Sequence, residues 1–428
     1  MPLSHSDAVM ANSRILTEQS GPDDPLLIRA AVRRTHRAEK LKSIALIAPL
    51  FLFVLIVFAA PIALLLTQAV DNRVMGTTLI ETSKALAQWE GQALPDDQAF
   101  DALAHDLSHT PYKLVAEVAK RLNYYQPGMR SLVITSSRKL QALKGPVSAI
   151  ELRKAAARWD NIENWHALKR ALPAYTDFYL LNAVDMARSS SGSIVQRPAH
   201  EAIYQDVIAR TFGISLIVTL ICLILAYPLA YLVATSSKRT ANILLVFILL
   251  PFWTSLLVRT TAWVVILQSA GPVNSILAWM GIIDAAHPLA LVHNRIGVLV
   301  AMVHILLPFM VLPIYSVMKG ISPAYMRAAL SLGASPWKAF MRIYIPLSMP
   351  GVSAGALLVF IIALGYYITP ALVGGPRDQM LSYFVEYFSN QATNWGMAAA
   401  LSAVLLILVA VMYGVYCKMV GLDKLRMG

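Results

Sequence analysis

Residues 321–346 read ISPAYMRAALSLGASPWKAFMRIYIP and connect two long apolar stretches of the chain. Ser322 and Ser335 are each followed by a proline, and each pair opens a helical stretch. Serine is a favourable N-cap, and proline suits the first turn of a helix, where no backbone donor is lost. Gly333 stands where the first helix must end, because glycine tolerates the left-handed conformation of a helix terminus. The pattern predicts two short helices that meet at an exposed corner shaped to dock another protein.

The apolar stretches around this corner decide the fold class. Of the 428 residues, 57% are apolar and 14% are charged, and apolar runs of about twenty residues recur. A transmembrane barrel would instead show short alternating strands, which the sequence lacks. We therefore predict an all-α integral membrane protein with six transmembrane helices. The predicted spans are Ser43–Val70, Ile214–Thr235, Ala241–Gln268, Gly297–Met318, Val352–Ala371 and Met397–Val420.

The basic residues predict the topology. The formal net charge is +12, and lysine and arginine cluster before the first span, between spans two and three, in the corner and after the last span. Placing all four clusters on the cytoplasmic side requires six crossings and puts both termini in the cytoplasm. The positive charge therefore reflects topology, and a nucleic-acid partner is not expected.

These spans divide the chain into parts. Residues 1–42 form a cytoplasmic tail, 43–70 the first span, 71–207 a periplasmic insertion and 208–428 a membrane core whose loop 319–347 contains the corner. The insertion has sixteen basic and fifteen acidic residues and carries apolar residues at helical spacing, which predicts a mainly helical domain. No nucleophile–base constellation or ligand motif stands out in it.

The sequence predicts no catalytic residue, no metal site and no cofactor in this chain. It contains no G-x-x-x-x-G-K-[ST] loop, so ATP hydrolysis is not expected here. It also lacks C-x-x-C and H-E-x-x-H spacings. Cys222 and Cys417 fall within apolar spans and are interpreted as small packing residues.

The corner resembles a family signature. Ala328, Ala329, Gly333, Ile343 and Pro346 match the E-A-A-x3-G-x9-I-x-L-P pattern of the membrane subunits of bacterial ABC importers. In that family the loop is cytoplasmic, precedes the last two spans and forms the coupling helix that fits a groove on the ATP-binding subunit. The charge distribution independently predicts the same position and the same side of the membrane.

Two positions depart from this signature. Ile345 replaces the usual leucine, which is a conservative change. Arg327 occupies the usual glutamate position and reverses its charge. Any ion pair made by that glutamate is therefore lost, and we hypothesise that the partner presents a complementary acidic patch to Arg327.

Finer strings resemble the spermidine/putrescine permease branch of the family. They are Leu250-Pro-Phe-Trp-Thr254, Leu257-Val-Arg-Thr260 with Ala262-Trp263, and Gly271-Pro-Val-Asn-Ser275. The resemblance covers about Thr211–Val420 and implies the type I ABC importer permease fold in a bacterial inner membrane. It also implies a polyamine substrate and three protein partners: a dimer of ATP-binding subunits that carries ATP and Mg²⁺, a second permease subunit and a periplasmic solute-binding protein.

Charged and aromatic residues near the membrane helices are candidates for a translocation path. Arg259 is costly in lipid, so it either reaches the outer phosphates, pairs structurally or lines the path, and we favour a structural role. A polycation would instead pass aromatic faces and carboxylates. The aromatic candidates also fit ordinary anchors at helix ends. The path candidates are Trp253, Arg259, Trp263, Tyr366, Tyr367 and Glu386.

Three other functions stay open at this point. The same importer class could carry thiamine, ferric iron, an opine or an oxyanion. A membrane-anchored periplasmic sensor could use residues 71–207 to detect a ligand, but it normally needs a cytoplasmic output domain, which the sequence after Val420 does not contain. A secondary transporter is disfavoured by six spans and by the docking corner.

Overall fold

The structure of the chain is a computed structural model that describes residues 42, 45–143, 145–189 and 192–420. The predicted tail, residues 1–42, lies outside the described residues except for Lys42. The chain divides into two compact units at Leu65. The first unit contributes most of one apolar helix, whose backbone includes a π-helical turn at Leu55–Ala59.

Six helices in the described chain are long and apolar enough to cross a membrane, which confirms the predicted number. We call them spans 1 to 6 in chain order. Their bounds are Ala45–Thr67, Tyr204–Thr235, Leu256–Trp279, Arg295–Gly320, Pro336–Leu364 and Trp395–Lys418.

Spans 2, 4 and 5 pack together around a buried apolar core. Two glycines of span 5 allow it to approach the backbone of span 4 closely. A Cβ atom at Gly351 would lie 2.8 Å from the carbonyl oxygen of Pro313, and one at Gly355 would lie 3.0 Å from the sulfur of Met310. Helices in a membrane gain little from burying apolar surface, since lipid is equally apolar, so close packing of small residues holds them together.

The predicted bounds of the third span, Ala241–Gln268, are wrong. A helix covers Lys238–Leu249 and passes into a 3₁₀ turn at Leu250–Trp253, where the α-helical hydrogen bonding stops. Ser255 then caps a new helix by accepting a hydrogen bond from the amide of Val258 at 3.2 Å. Residues at the break are themselves largely apolar, so the hydropathy of the sequence does not fall there. The span is Leu256–Trp279, built from two helices, Leu256–Leu267 and Pro272–Trp279.

The predicted fifth span, Val352–Ala371, is also displaced. The helix already begins at Pro336 and ends at Leu364. The α-helical hydrogen bonding stops there, because the amides of Gly365 and Tyr366 donate to carbonyl groups only three residues earlier. Ile368–Val373 is a separate short helix. The connection to span 6 contains a 3₁₀ turn at Pro376–Asp378, a helix at Leu381–Glu386 and a π-helical turn at Tyr387–Gln391.

The insertion between spans 1 and 2 is mainly helical, as predicted. Two buried indoles stabilise its core: the Nε1 of Trp159 donates to the hydroxyl of Ser136 at 2.9 Å, and the Nε1 of Trp165 donates to the Trp159 carbonyl at 2.7 Å. These bonds satisfy buried donors that would otherwise be costly. Its helices are Arg73–Thr78, Ile80–Ala87, Asp97–His109, Tyr112–Tyr125, Met129–Gln141, Ala149–Ala155, Ile162–Ala171 and Phe178–Asn182, with a 3₁₀ turn at Ala157–Asp160.

A small antiparallel hairpin completes the insertion and was not predicted. Its strands are Met186–Arg188 and Ile194–Gln196, with Ala187 opposite Val195. Three residues per strand give too short an alternation for recognition in the sequence.

The insertion packs against the start of span 6. The Tyr179 ring lies against Gly396, where a Cβ atom would come within 2.5 Å of the ring. The Lys120 ammonium group donates to the carbonyl and the hydroxyl of Thr393, at 2.7 and 2.6 Å. The backbone of Thr393 has a φ of 49°, which is uncommon outside glycine, so these bonds hold a sterically strained residue.

Candidate coupling loop and translocation path

The first arm of the corner is the helix Pro323–Ser331. Ser322 caps it, since its hydroxyl accepts a hydrogen bond from the amide of Ala324 at 3.3 Å. Gly333 ends it in the left-handed conformation with a φ of 82°, as predicted, and donates its amide to the Leu330 carbonyl at 3.0 Å. We call this element the coupling helix, after the family signature that its sequence resembles.

Most signature residues of the coupling helix face solvent. Arg327, Ala328 and Gly333 are exposed, and Leu332 is 88% exposed. Ala329 differs, because it is buried against the rest of the corner with 7% exposure. Arg327 forms no ion pair within the described residues. A large apolar side chain and an unpaired cation on one surface are what a protein partner would cover.

The second arm of the corner is the base of span 5 rather than a separate helix. Pro336–Ala339 passes through a π-helical turn at Phe340–Tyr344 into the helix Ile345–Leu364. Ile343 lies in the π turn, and Pro346 lies in the first turn of the helix that follows. Proline has no amide hydrogen and its ring clashes with the carbonyl four residues earlier, which the wider π turn accommodates. Movement of the corner would therefore move span 5 directly.

Aromatic side chains join this arm to the C-terminal half of span 2. The Tyr231 ring centroid lies 5.4 Å from that of Phe340 and 5.2 Å from that of Tyr344, both edge to face. The hydroxyl of Tyr227 lies 2.9 Å from the hydroxyl of Ser348. Such ring pairs add directional attraction to simple packing, so side-chain contacts link the corner and span 5 to span 2.

Arg259 has a structural position at the break before span 3. Its guanidinium group donates to the Thr254 hydroxyl at 3.3 Å, to the Thr254 carbonyl at 3.0 Å and to the Pro251 carbonyl. These acceptors belong to the turn in which helical hydrogen bonding stops. Arg259 thus satisfies carbonyl groups that a continuous helix would have paired.

Two aromatic candidates lie in different surroundings. The Nε1 of Trp263 donates to the Nδ1 of His304 at 3.1 Å, which links span 3 to span 4. Trp253 is 77% exposed. Within the described residues, neither Trp253 nor Tyr367 makes an aromatic contact or a side-chain hydrogen bond with another path candidate.

The remaining candidates lie between spans 5 and 6. The Ser382 hydroxyl donates to the Tyr366 carbonyl at 2.6 Å, which ties the end of span 5 to the helix Leu381–Glu386. Among the described residues, the Glu386 carboxylate accepts only long hydrogen bonds, at 3.4 Å, from the side-chain amides of Asn390 and Gln391. Its carboxylate is therefore weakly engaged.

Sequence reasoning missed a charged cluster where spans 2 and 4 begin. The Arg295 Nε donates to a carboxylate oxygen of Asp378 at 3.0 Å, and Arg210 donates to the carbonyl of Arg377. Asp378, 8% exposed at its side chain, also accepts from the Gly375 amide at 3.2 Å. In the sequence, these residues are single charges that flank apolar runs. Ordinary ends of membrane spans have the same pattern, so the cluster could not be recognised.

A second missed residue is Asp185, which fixes the start of span 2. Its buried carboxylate accepts hydrogen bonds from the amides of Ile203 at 3.0 Å and Gln205 at 2.7 Å. An anion at a helix N-terminus satisfies free donors and complements the helix dipole. Because Asp185 lies about twenty residues before the helix, local capping patterns could not reveal it.

Comparison with known proteins identifies the family. Residues 226–416 match the model of the binding-protein-dependent transport system inner membrane component. The spermidine/putrescine transport system permease protein PotB of Escherichia coli is 35% identical over 218 residues, which cover 51% of this chain and 78% of PotB. PotB of Haemophilus influenzae is 34% identical over 216 residues, with 50% and 75% covered.

A further relative is the inner membrane ABC transporter permease protein YdcU of Escherichia coli, 32% identical over 231 residues that cover 50% of this chain and 72% of YdcU. A crystal structure of a bacterial alginate ABC transporter is 18% identical, with a TM-score of 0.43 and coverage of 50% of this chain and 77% of that chain. A likeness at that level carries no functional weight. The six apolar helices, the family match and the 35% identity to PotB establish that the chain belongs to the PotB-like, binding-protein-dependent inner membrane components. It is a permease subunit of an ABC importer.

Proposed function

We propose that this permease imports polyamines, with spermidine and putrescine as the first candidates. The observation that carries the proposal is the 35% identity to PotB, over a match that covers 78% of PotB. The name of PotB describes it as a spermidine/putrescine permease. The family model matches residues 226–416, which lie in the membrane core, where a permease contacts its cargo.

The chemistry of the core supports a cationic cargo. After residue 207 the described chain contains three acidic residues, Asp284, Asp378 and Glu386. Asp378 is paired with Arg295, and Asp284 accepts from the His287 side chain and a backbone amide. Glu386 is the carboxylate left for a cation, and it lies on a helix next to the aromatic end of span 5. Carboxylates and aromatic faces are what an ammonium group binds in a dry site.

We propose that the coupling helix docks on an ATP-binding subunit. Closure of two such subunits around ATP and Mg²⁺ would displace the corner. Span 5 would follow because it continues from the corner, and span 2 would follow through the rings of Tyr231, Phe340 and Tyr344. A rigid-body movement of this kind switches a central cavity between its two openings. Arg327 would meet an acidic patch on the ATP-binding subunit.

The remaining parts of the assembly follow from the same proposal. A second permease subunit completes the membrane pore, and a soluble binding protein delivers the polyamine from the periplasm. Both termini and the coupling helix face the cytoplasm, because the lysine and arginine clusters then lie on that side. This chain itself uses no cofactor.

Uptake by the complete importer tests the cargo. Cells that lack other polyamine importers would express the permease with the ATP-binding subunit, second permease and binding protein of its importer. We expect uptake of radiolabelled spermidine or putrescine that thiamine, ferric iron and sulfate do not inhibit. Glu386→Gln should reduce this uptake at least about tenfold, since a charge-assisted contact contributes about 1.5–3 kcal/mol. Asp284→Asn, on an exposed loop, is the matched control. Uptake of another solute class without polyamine uptake would overturn the proposal.

A further inference from the structure

The insertion contains a cleft of about 450 Å³ that the permease function does not explain. Its walls are the end of the helix Tyr112–Tyr125, the segment 173–177, the helix Phe178–Asn182 and both strands of the hairpin. The family match begins at residue 226, so it does not include this cleft. Its volume lies within the range of about 300–1,000 Å³ that is typical of small-molecule sites.

The floor of the cleft is a preformed aromatic surface. The rings of Tyr125 and Phe178 stack with their centroids 4.2 Å apart and an angle of 27° between their planes. The Tyr125 hydroxyl lies 2.8 Å from that of Thr176, which fixes the ring. Tyr175 stands at the rim and is 70% exposed. A flat apolar group could stack here without rearrangement of the floor.

The neutral phenols add no charge to the cleft. Burial raises the pKa of Tyr124 to about 12 and raises the pKa of Tyr125 above its ordinary value. Both hydroxyl groups therefore stay protonated at physiological pH and can donate hydrogen bonds.

Arginine dominates the charged lining of the cleft. Three arginines and two carboxylates line it. Asp177 is paired with Arg188 at 2.6 Å, and Glu201 is paired with Arg197 at 2.7 Å. Both carboxylates in the lining are therefore paired with an arginine, and Arg170 provides an excess positive charge.

Arg170 keeps donors available for a ligand. Its Nε donates to the His166 carbonyl at 3.3 Å and one terminal nitrogen donates to the Arg188 carbonyl at 3.4 Å, both long bonds. It has no carboxylate partner among the described residues. A guanidinium group carries five N–H donors in a planar fork that matches carboxylate and phosphate groups.

We propose that this cleft binds a small organic anion with a flat apolar body, such as an aromatic carboxylate or an aryl phosphate. The ring stacks on Tyr125 and Phe178, and the anionic group accepts hydrogen bonds from Arg170. The excess positive charge disfavours a polyamine, so the site is distinct from the cargo path and does not depend on the cargo assignment. The floor is next to the membrane core, since Tyr179, which follows Phe178, packs on Gly396 of span 6.

Calorimetry on the full chain in lipid nanodiscs tests the site with three probes. Phenyl phosphate combines ring and anion, inorganic phosphate lacks the ring, and benzylamine reverses the charge. We expect saturable binding of phenyl phosphate that is at least about tenfold tighter than binding of either other probe. Spermidine should not displace phenyl phosphate, because the two ligands carry opposite charges. The binding result is therefore independent of the outcome of the uptake experiment.

Matched variants locate the binding. Arg170→Gln should weaken phenyl phosphate binding at least about tenfold, because it removes the charge and most donors. Arg138→Gln, which changes an exposed arginine outside the cleft, should leave binding unchanged. Tyr175→Ala should weaken binding severalfold, and the side chain that it removes is 70% exposed. The proposal is overturned if phenyl phosphate shows no saturable binding, if benzylamine binds as tightly, or if Arg170→Gln matches Arg138→Gln.

Discussion

Two substitutions at Gly333 separate backbone strain from loss of docking. The glycine has a φ of 82°, and a Cβ atom there would meet no other atom within 4 Å. Gly333→Ala therefore adds only the left-handed strain of an L residue, about 1–2 kcal/mol. Gly333→Trp adds the same strain and also places an indole on the exposed face beside Leu332. Because the site is open within the chain, neither variant should disturb the packing of the spans.

The expected magnitudes differ between the two variants. Strain of about 1–2 kcal/mol lowers the equilibrium ratio of native to non-native corner about 5- to 30-fold. The corner stays mostly native if its native conformation is favoured by much more than this strain. Gly333→Ala should therefore lose at most a few-fold of transport. Gly333→Trp should lose more than tenfold, because the indole occupies space that the ATP-binding subunit must fill.

The assay is ATP-dependent uptake into proteoliposomes that contain the complete importer, with ATPase activity measured in parallel. Membrane insertion and thermal unfolding of each variant serve as controls, and Gly320→Trp, at an exposed glycine before the coupling helix, tests for a nonspecific effect of bulk. Full transport by Gly333→Trp would refute the docking assignment. Equal losses in Gly333→Ala and Gly333→Trp would show that strain alone matters and would refute it as well.

Three further predictions concern packing and polar contacts. Gly351→Val should lower the free energy of unfolding by about 1–3 kcal/mol through overpacking against span 4, as measured by thermal unfolding in detergent, whereas Gly414→Val, in open surroundings, should not. Lys120→Met should speed hydrogen exchange at the start of span 6 about fivefold, because loss of its hydrogen bonds lowers the free energy of local opening by about 1 kcal/mol. Lys113→Met, which changes an exposed lysine on the same helix, should leave the exchange rate unchanged. Arg295→Gln should cost about 2 kcal/mol in thermal unfolding, less than the 3–5 kcal/mol of a fully buried pair, because its side chain is 52% exposed. An unchanged value in any of these variants would contradict the corresponding contact.

Sequence reasoning recovered features that depend on local patterns. The number of spans follows from hydropathy, and the corner follows from a serine cap, prolines and a glycine whose left-handed φ the structure confirms. The helical content of the insertion follows from apolar periodicity. Each of these signals lies within one element, so no knowledge of packing was needed.

Features that depend on distant contacts or on breaks in apolar runs could not be predicted. Helix breaks near Pro251 and Gly365 are invisible to hydropathy, because the residues around them are mostly apolar. The role of Arg259 depends on its hydrogen bonds to the turn at Thr254, which hydropathy and composition do not encode. Asp185 caps span 2 across a hairpin, a contact that no local pattern encodes.

Docking of the coupling helix on an ATP-binding subunit is the central claim, and photo-cross-linking at Ala328 tests it most directly. Ala328 is exposed on the coupling helix, Cys222 is buried, and Cys417 would be replaced by serine. A benzophenone attached to Ala328→Cys should cross-link to the ATP-binding subunit in the assembled importer. The same probe on Ala286→Cys, in the loop between spans 3 and 4, should not. Absence of a cross-link from Ala328→Cys, or an equal yield from Ala286→Cys, would contradict the account.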